Sequence, residues 1–548
     1  MSIPKIFKVY LYFEPSEPSE SSKPSEPLEP SKSSEASEAS ESSKTSEPSE
    51  SSKSKITQQR NELIHMMTQI DVEPIIKELD DPIEDKLKDP RIYVSIGKDW
   101  SIFKSLIGLP VYEKNRWLHF NEISEIKLYK LFYCWLAATD PFPISKELSL
   151  SKLSEDLPLI SLFTSTFRSG KRIQRPYQSL LKQTYTNWEW VILDDSGDND
   201  ETWNNILVNL KDKRIRKYQQ AERSGRIGAV KRDVAGLCRG QILVELDHDD
   251  ELTPDCLLRI VDAFIQHPDC GFVYGDFCEV YEDTNNAHWY GWDAGYGYLT
   301  YWREYVPAMK RWQNVCKTPI LNWKTIRHLI GLPNHPRAWR SDLYHLIGGH
   351  RPELTVADDY DLLVRTFLAT KMVRIPHLLY IQYRNTNQNN QTFQRNQQIQ
   401  TLCHYLELYY RDQIDKRLSD LDMPSLANES YNRIYRRPAA HPCHQQASID
   451  HLCPLCKCYI FPITSSSVLT QIKPSLEKAI KKCQENEWYH YNLIVVGVVP
   501  PFIEELATTS PPGSVRWWPF DHSITAEEAV RWAMQIRPGA LTIIKSGK

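Results

Sequence analysis

Two short apolar runs in the middle of the chain, residues 188–193 and 241–246, each break off into a cluster of aspartates, Asp194-Asp195 and Asp247-His248-Asp249-Asp250. Both belong to a longer alternation of short apolar runs and amphipathic stretches that begins after Pro158. That order specifies strand, helix, strand units and a mainly parallel sheet. Strands are expected over 159–166, 188–193, 214–219, 241–246 and 271–274. Helices are expected over 172–183, 201–210, 228–238 and 254–266, the last opened by Thr253 as its cap with Pro254 in the first turn.

In an open parallel sheet ligands bind beyond the carboxyl ends of the strands, and both acidic clusters fall there. Carboxylates converging on one edge repel one another unless a cation or a donor-rich ligand lies between them. A hard divalent ion, Mn2+ or Mg2+, takes oxygen ligands from one or two carboxylates and completes its shell with substrate phosphates. Asp247-x-Asp249 beside a nucleotide pocket has that outline. The plainer account is a turn of aspartates that caps the next helix.

Five motifs in one order add context: Leu159-Ile-Ser-Leu-Phe-Thr-Ser-Thr-Phe-Arg, Gln183-Thr-Tyr-Thr-Asn-Trp-Glu-Trp-Val-Ile-Leu-Asp-Asp-Ser, Gly228-Ala-Val-Lys-Arg-Asp, Gly240-Gln-Ile-Leu-Val-Glu-Leu-Asp-His-Asp-Asp and Ala357-Asp-Asp-Tyr-Asp-Leu-Leu-Val-Arg. Together they resemble the family-two nucleotide-sugar glycosyltransferases over residues 157–395. The resemblance implies a Rossmann-like, A-type glycosyltransferase domain of α/β class with a mainly parallel sheet. It also implies a UDP- or GDP-linked sugar donor, a divalent metal and inversion at the anomeric carbon, in a hexosyltransferase-like enzyme. By position, Thr166, Phe167 and Arg168 would form the turn facing the nucleoside base, with Asp195 and Asp194 near the base and Arg232 near the donor. Asp247 and Asp249 match the metal and ribose aspartates, and Asp250 is the extra acid beside them. Asp358 and Asp359 occupy the paired-acid position, with Asp359 favoured as general base; the plainer account of that pair is a helix cap. His335-Pro-Arg-Ala-Trp-Arg would shape the acceptor side, with Trp339 either stacked on a sugar or packed in the core. Two departures stand out. The first turn reads Thr164-Ser-Thr-Phe-Arg where the family has Pro-Thr-Tyr-Asn, and Asn385 and Asn387 occupy a stretch where a histidine often follows, leaving His377 as a substitute ligand or a core residue.

A catalytically silent relative serving as a binding or scaffold protein is the rival reading; it predicts no manganese-dependent binding of UDP or GDP. A nucleotidyltransferase is a third, without a glycine-rich phosphate loop to support it. The acceptor, whether glycan, protein or lipid, is left open.

Elsewhere the chain carries less chemistry. Residues 14–55 hold 17 Ser, 10 Glu and 5 Lys and one large apolar residue, Leu28, which reads as a disordered tether behind a short segment, 1–13. Residues 56–150 read as a mostly helical accessory region, from Ile64, Met67 and Ile70 and from Ile126, Leu128, Leu131, Phe132 and Trp135. A helical linker is expected over 396–440. In the Cys/His-rich segment 441–458, Cys453-Pro-Leu-Cys456 has the spacing of a zinc knuckle, with Cys443, His444, His451 and Cys458 in reach to complete a structural Zn2+ site; unligated thiols are the alternative. Residues 459–548 read as a truncated repeat of the nucleotide half-domain. Tyr459-Ile-Phe-Pro-Ile matches the first strand and Tyr491-Asn-Leu-Ile-Val-Val-Gly the second. Glu528-Ala-Val-Arg-Trp-Ala-Met matches the helix before the metal strand. Gly497 stands where the first copy has an aspartate, and the sequence ends where Asp-x-Asp would begin, so this copy is expected to be inactive. The formal net charge of -4 gives no basic excess for nucleic acid. No apolar run approaches the roughly 18 residues of a membrane span, no signal peptide is evident, and twelve scattered cysteines suit the cytoplasm.

Overall fold

The computed structural model describes residues 5–13, 50–78, 91–97, 116–139, 157–197, 202–290, 300–319, 325–328, 332–385, 394–421, 448–450, 457–463, 466–485, 491–510, 514–518 and 541–544, with isolated positions between them. It divides into two compact units, residues 1–141 and 142–548.

The first unit is built on four parallel strands, β1 (Phe7–Phe13), β2 (Val72–Glu78), β3 (Ile92–Ile96) and β4 (Trp117–Phe120), in the order β2-β1-β3-β4. Helices α1 (Glu50–Gln69) and α2 (Leu128–Thr139) supply the expected periodicity, burying Met67, Leu131, Phe132 and Trp135. Among the described residues the region also holds the parallel strands β2, β3 and β4, so it is α/β. The runs in β2 and β3 are too short for a helical period to reveal them. The amino-terminal segment is part of this fold, since β1 pairs with both β2 and β3. Residues 50–55 of the expected tether belong to α1; residues 14–49 lie outside the described residues.

In the second unit the described strands join in one sheet. Its heart is a parallel quartet, β5 (Ile160–Thr166), β6 (Trp188–Asp194), β7 (Ile215–Gln219) and β8 (Ile242–Glu245), ordered β8-β5-β6-β7. Every residue of β6 and β8 is buried, as strands covered on both faces require. Helices α3 (Gln174–Leu181), α4 (Ile227–Gly236) and α5 (Cys256–Gln266) connect and cover them. The helix expected over 201–210 is instead a π turn at Thr202–Ile206 and a 3-10 turn at Leu207–Asn209. Thr253 does not cap α5. Asp255 stands at the cap, and the Thr253 hydroxyl donates to the Leu378 carbonyl at 3.1 Å.

From β8 the sheet continues through mixed strands, namely β9 (Glu251–Leu252), β10 (Cys270–Tyr281), β11 (Thr300–Val306), β12 (Arg311–Lys317), β13 (Arg337–Arg340) and β14 (Lys371–Arg384). β10 runs well past the expected end at Tyr274, because the charge of Asp276 is met inside the sheet by Arg374 at 2.6 Å, both side chains being fully buried. Helices α6 (Ser341–Leu346), α7 (Asp358–Ala369) and α8 (Asn396–Asp420) follow. α8 lies in the expected linker, yet it buries Leu402, Leu406, Tyr410 and Ile414 and bonds α7 through the Tyr410 hydroxyl and Asp361 at 2.9 Å. It is part of the domain.

A second set of parallel strands follows in the carboxyl-terminal segment. β15 (Ser448–Asp450) pairs with β14. Beyond it β16 (Lys457–Ile463), β17 (Tyr491–Gly497), β18 (Val515–Trp518) and β19 (Leu541–Ile544) are parallel in the order β19-β16-β17-β18, the same fourth-first-second-third order as β8-β5-β6-β7. Helices α9 (Ser466–Glu485) and α10 (Pro501–Thr509) accompany them; the match over 528–534 lies outside the described residues. β18 pairs antiparallel with β11, so the repeat extends the sheet, and Ile460, Ile494 and Val496 share a core with Cys278, Trp302, Val315 and Ile381. Among the described residues no helix is long and apolar enough to cross a membrane.

Candidate active site

β8 ends at Glu245, and the chain leaves the carboxyl edge of the sheet there, between β5 and β13. β9 then pairs antiparallel with β14, folding residues 246–250 across that edge. Several bonds fix this loop. The Thr164 hydroxyl donates to the Leu246 carbonyl at 2.7 Å, and the Asp247 amide donates to the Tyr380 hydroxyl at 3.2 Å. Arg175 donates to the Asp249 carbonyl at 3.0 Å while its guanidinium lies 4.1 Å from the Tyr383 ring centre. Asn385 donates to Asp249 Oδ2 at 3.3 Å. The side chain of Asp247 is 38% exposed and that of Asp249 18%. Asp250 is buried, accepts the Tyr383 amide at 2.8 Å, and is pushed well above the usual carboxylate range by burial and then by the charges of Asp249 and Asp247. Of the three expected metal residues, two face outward and one fastens the loop to β14.

Behind Asp247 lies a buried charge cluster centred on Glu245, a residue that sequence reasoning passes over as one more position of a buried strand. Lys231 of α4 meets Glu245 at 2.6 Å and Arg337 of β13 at 3.4 Å, with His335 at 3.8 Å and His350 at 3.9 Å. Burial raises the Glu245 carboxyl, but Lys231 and then Arg337 outweigh it and hold the group well below its usual range. Burial lowers Lys231, and Glu245 and Asp358 more than reverse that. Burial brings His335 down to about 4 and His350 to about 3, so both imidazoles are neutral at pH 7.

The two acids at the start of α7 meet opposite surroundings. Asp358 is buried, with Oδ2 3.7 Å from Lys231 and 3.8 Å from His350, and burial raises it to about 6. Asp359 is 28% exposed at its side chain and accepts Arg337 at 3.1 Å. Burial pushes Asp359 up, but Arg337 and Lys231 hold it below the usual range. Arg337 thus joins Asp359 to Glu245, and His335, 3.7 Å from Asp247 Oδ2, joins Glu245 to the loop. Ala357 opens α7 with a φ of 62°, a left-handed conformation costing about 1–2 kcal/mol for a residue with a Cβ.

A divalent cation fits these residues. Ligand atoms of Glu245, Asp247 and His335 lie within 4.8 Å of one another. Both ring nitrogens of His335 are buried without a hydrogen-bond partner, and the neutral ring is the form that ligates. Two carboxylates and one imidazole are a donor set for a divalent ion. His377, the substitute considered from sequence, is a core residue 3.4 Å from Arg516.

On the donor side, Asp194 and Asp195 lie at the end of β6, beside Thr166 at the end of β5; the Asp195 amide donates to the Thr166 carbonyl at 2.8 Å. Asp195 accepts the amides of Ser224 and Gly225 at 2.7 and 3.0 Å, and Asp194 accepts the Ser196 hydroxyl at 2.7 Å. The Thr166 hydroxyl meets that of Ser169, and the Arg168 amide donates to the Ser196 hydroxyl at 3.1 Å. The Phe167 ring carries the guanidinium of Arg223 at 4.1 Å and that of Arg168 at 5.5 Å. Arg232 is exposed and lines a cavity of about 650 Å³ with Tyr218, Gln220, Tyr344 and Gly349, whereas its neighbour Lys231 turns into the carboxylate cluster. Trp339 is fully buried, donates to the Thr366 hydroxyl at 3.0 Å and packs on Phe272, so it offers no sugar platform. Cys443, His444, Cys453 and Cys456 lie outside the described residues.

Residues 161–320 match the family model for glycosyl transferase family 2. The putative colanic acid biosynthesis glycosyl transferase WcaA of Escherichia coli K12 is 34% identical over 110 residues, 20% of this chain and 38% of that protein. Chondroitin synthase of E. coli is 25% identical over 221 residues, 40% of this chain and 28% of that protein. The chain thus spans well under two thirds of the length of the curated relatives it matches. Among solved structures, S. aureus TarS 1–349 aligns with 49% of this chain and 73% of its own at 16% identity and a TM-score of 0.34. Residues 161–320, which include the acidic loop at the carboxyl edge of the parallel quartet, are thus similar to glycosyltransferase family two, and the residues from His335 to Tyr380 that complete the site lie beyond that match.

Proposed function

We propose that the chain transfers a sugar from a UDP- or GDP-linked donor to an acceptor hydroxyl, with Mn2+ or Mg2+ and with inversion at the anomeric carbon. The observation that carries this reading is an ionised, partly exposed Asp359 tied through Arg337 and Glu245 to the loop of Asp247 and Asp249. An acceptor hydroxyl has a pKa far above 7, so its oxygen attacks only as a carboxylate within reach takes the proton. Asp359 is suited to that role: Arg337 keeps it ionised at neutral pH, and Asp358 beneath it is the more readily protonated of the two. The new bond joins the acceptor oxygen to the anomeric carbon while the bond to the diphosphate breaks, which inverts the centre. The cation, when held by Glu245, Asp247 and His335 with Asp249 on the same loop, would stabilise charge on the leaving diphosphate. Phe167, backed by Arg223, is a platform for the nucleobase. The carboxyl-terminal repeat, with Gly497 in place of Asp194, serves packing.

Binding tests this directly. Manganese with UDP or GDP at a hundredfold excess over Kd should stabilise the protein by about 2.7 kcal/mol, and Asp249→Ala should abolish that gain. No manganese-dependent stabilisation by either nucleotide would favour the scaffold reading.

A further inference from the structure

Tyr380, Gln382 and Arg384 lie at alternate positions of β14 and so share one face, together with their register partners Phe277, Glu279 and Tyr281 on β10. Tyr380 meets the His335 ring edge-on at 4.9 Å and receives the Asp247 amide, so this face starts at the catalytic centre. Four residues of strand, roughly 13 Å, bring it to Arg384. There the chain turns back on itself. Ala287 bridges to Val280, and the His288 amide donates to the Glu279 carbonyl at 2.8 Å. The turn sets Tyr290 beside Glu279 and Trp289 edge-on to Tyr301 at 6.0 Å, the two being 48% and 43% exposed, among the most exposed large apolar side chains described.

The Tyr290 ring is held firmly for a residue so exposed. Its hydroxyl donates to Glu279 at 2.6 Å and accepts Arg384 at 2.9 Å, and the His288 ring meets it edge-on at 4.7 Å. Glu279 and Arg384 pair with each other, so a carboxylate and a guanidinium border the aromatic surface. A pyranose ring has a C–H face polarised positive and a rim of hydroxyls. An aromatic face is negative and takes the first; carboxylate and guanidinium take the second. A ring already ordered loses little freedom on binding.

We propose that Tyr290 and Trp289 form a saccharide-binding subsite, and that the acceptor of this protein is a saccharide. The word acceptor rests on the glycosyltransferase reading; the binding of a sugar does not. The chain running from this ring toward Tyr380, roughly 13 Å or two to three sugars long, would bring its terminal hydroxyl toward Asp359, and the far side would carry the rest of the chain away along β10.

Saturation-transfer NMR with the full chain tests the proposal, using β-linked di- to hexasaccharides of glucose, N-acetylglucosamine and glucuronic acid as probes. At least one series should bind, with Tyr290→Ala at least tenfold weaker and Tyr290→Phe, which keeps the ring, within about threefold of wild type. Trp289→Ala should weaken binding severalfold, and matched thermal midpoints would exclude unfolding as the cause. No saccharide bound by the wild type, or equal affinity in Tyr290→Ala, would overturn the proposal. Nucleotide binding by the same wild-type sample is read separately: its absence with sugar binding intact would refute the glycosyltransferase reading and leave the subsite standing.

Discussion

Asp358 and Asp359 are neighbours whose charges are set by different partners, and their roles separate accordingly. Replacing Asp359 by Asn removes the proton acceptor and keeps the shape, so transfer should fall by about 10²–10⁴-fold while UDP or GDP binding changes little, as calorimetric titration beside a turnover assay would show. Asp358 predicts a pH effect on stability. Folded, it holds its proton up to about pH 6, against 3.8 for the ordinary group. The folded chain therefore binds the extra proton between those values, and stability falls as pH rises through the interval and levels off above it, by up to about 3 kcal/mol. Asp358→Asn should lack that fall, so the wild type should lose stability relative to the variant between pH 4 and pH 7 in urea unfolding. Parallel profiles for the two proteins would contradict it. That two acids open this helix was legible in Ala357-Asp-Asp-Tyr. Which of them stays charged was not, because Lys231 and Arg337 reach them from α4 and β13, more than twenty residues away in either case.

At the scale of elements, β10 and β14 carry the wall of the site, and the buried Asp276–Arg374 pair fixes them together. Arg374→Met leaves Asp276 unpaired in the core and should cost about 3–5 kcal/mol, whereas adding Asp276→Leu to it should restore most of the loss, since an apolar pair replaces a buried ion pair at little cost. Urea midpoints of the three proteins check this. The same pair marks where sequence reading stopped short: an aspartate after Gly275 looks like the end of a strand until its partner, 98 residues on, is known. The parallel quartet was legible because strands buried on both faces are continuous apolar runs. β1, β2 and β3 of the first unit were not. β1 is interrupted by Lys8, and the other two are brief runs inside a region where the helical periods of α1 and α2 dominate. His335 was visible only as part of a motif, and its place beside Asp247 follows from the pairing of β13 with β8.

Across the second unit, the strands before residue 385 and those from residue 457 onward share a sheet and a core. Arg516 of β18 is fully buried, donates to the Pro376 carbonyl at 3.0 Å, lies 3.7 Å from Glu304 and stands over the Trp302 ring at 4.9 Å. The repeat should therefore unfold with the catalytic domain in a single calorimetric transition, and Arg516→Met, which strands Glu304 in the core, should lower that transition as a whole. Separate melting of the repeat would show that the shared core does not couple them. β16 and β17 were readable as apolar runs resembling β5 and β6; their junction with the rest of the sheet was not, because it runs through β18 and β11, neither of which carries a motif. The central claim is chemical and is tested most directly by turnover. A panel of UDP- and GDP-sugars would be incubated with the wild type, Asp249→Ala and Asp359→Asn, with and without manganese, and release of nucleoside diphosphate followed. The account predicts metal-dependent release from at least one donor, lost in Asp249→Ala and reduced by at least a hundredfold in Asp359→Asn when an acceptor is supplied; release that persists in both variants, or none from any donor by the wild type, would contradict it.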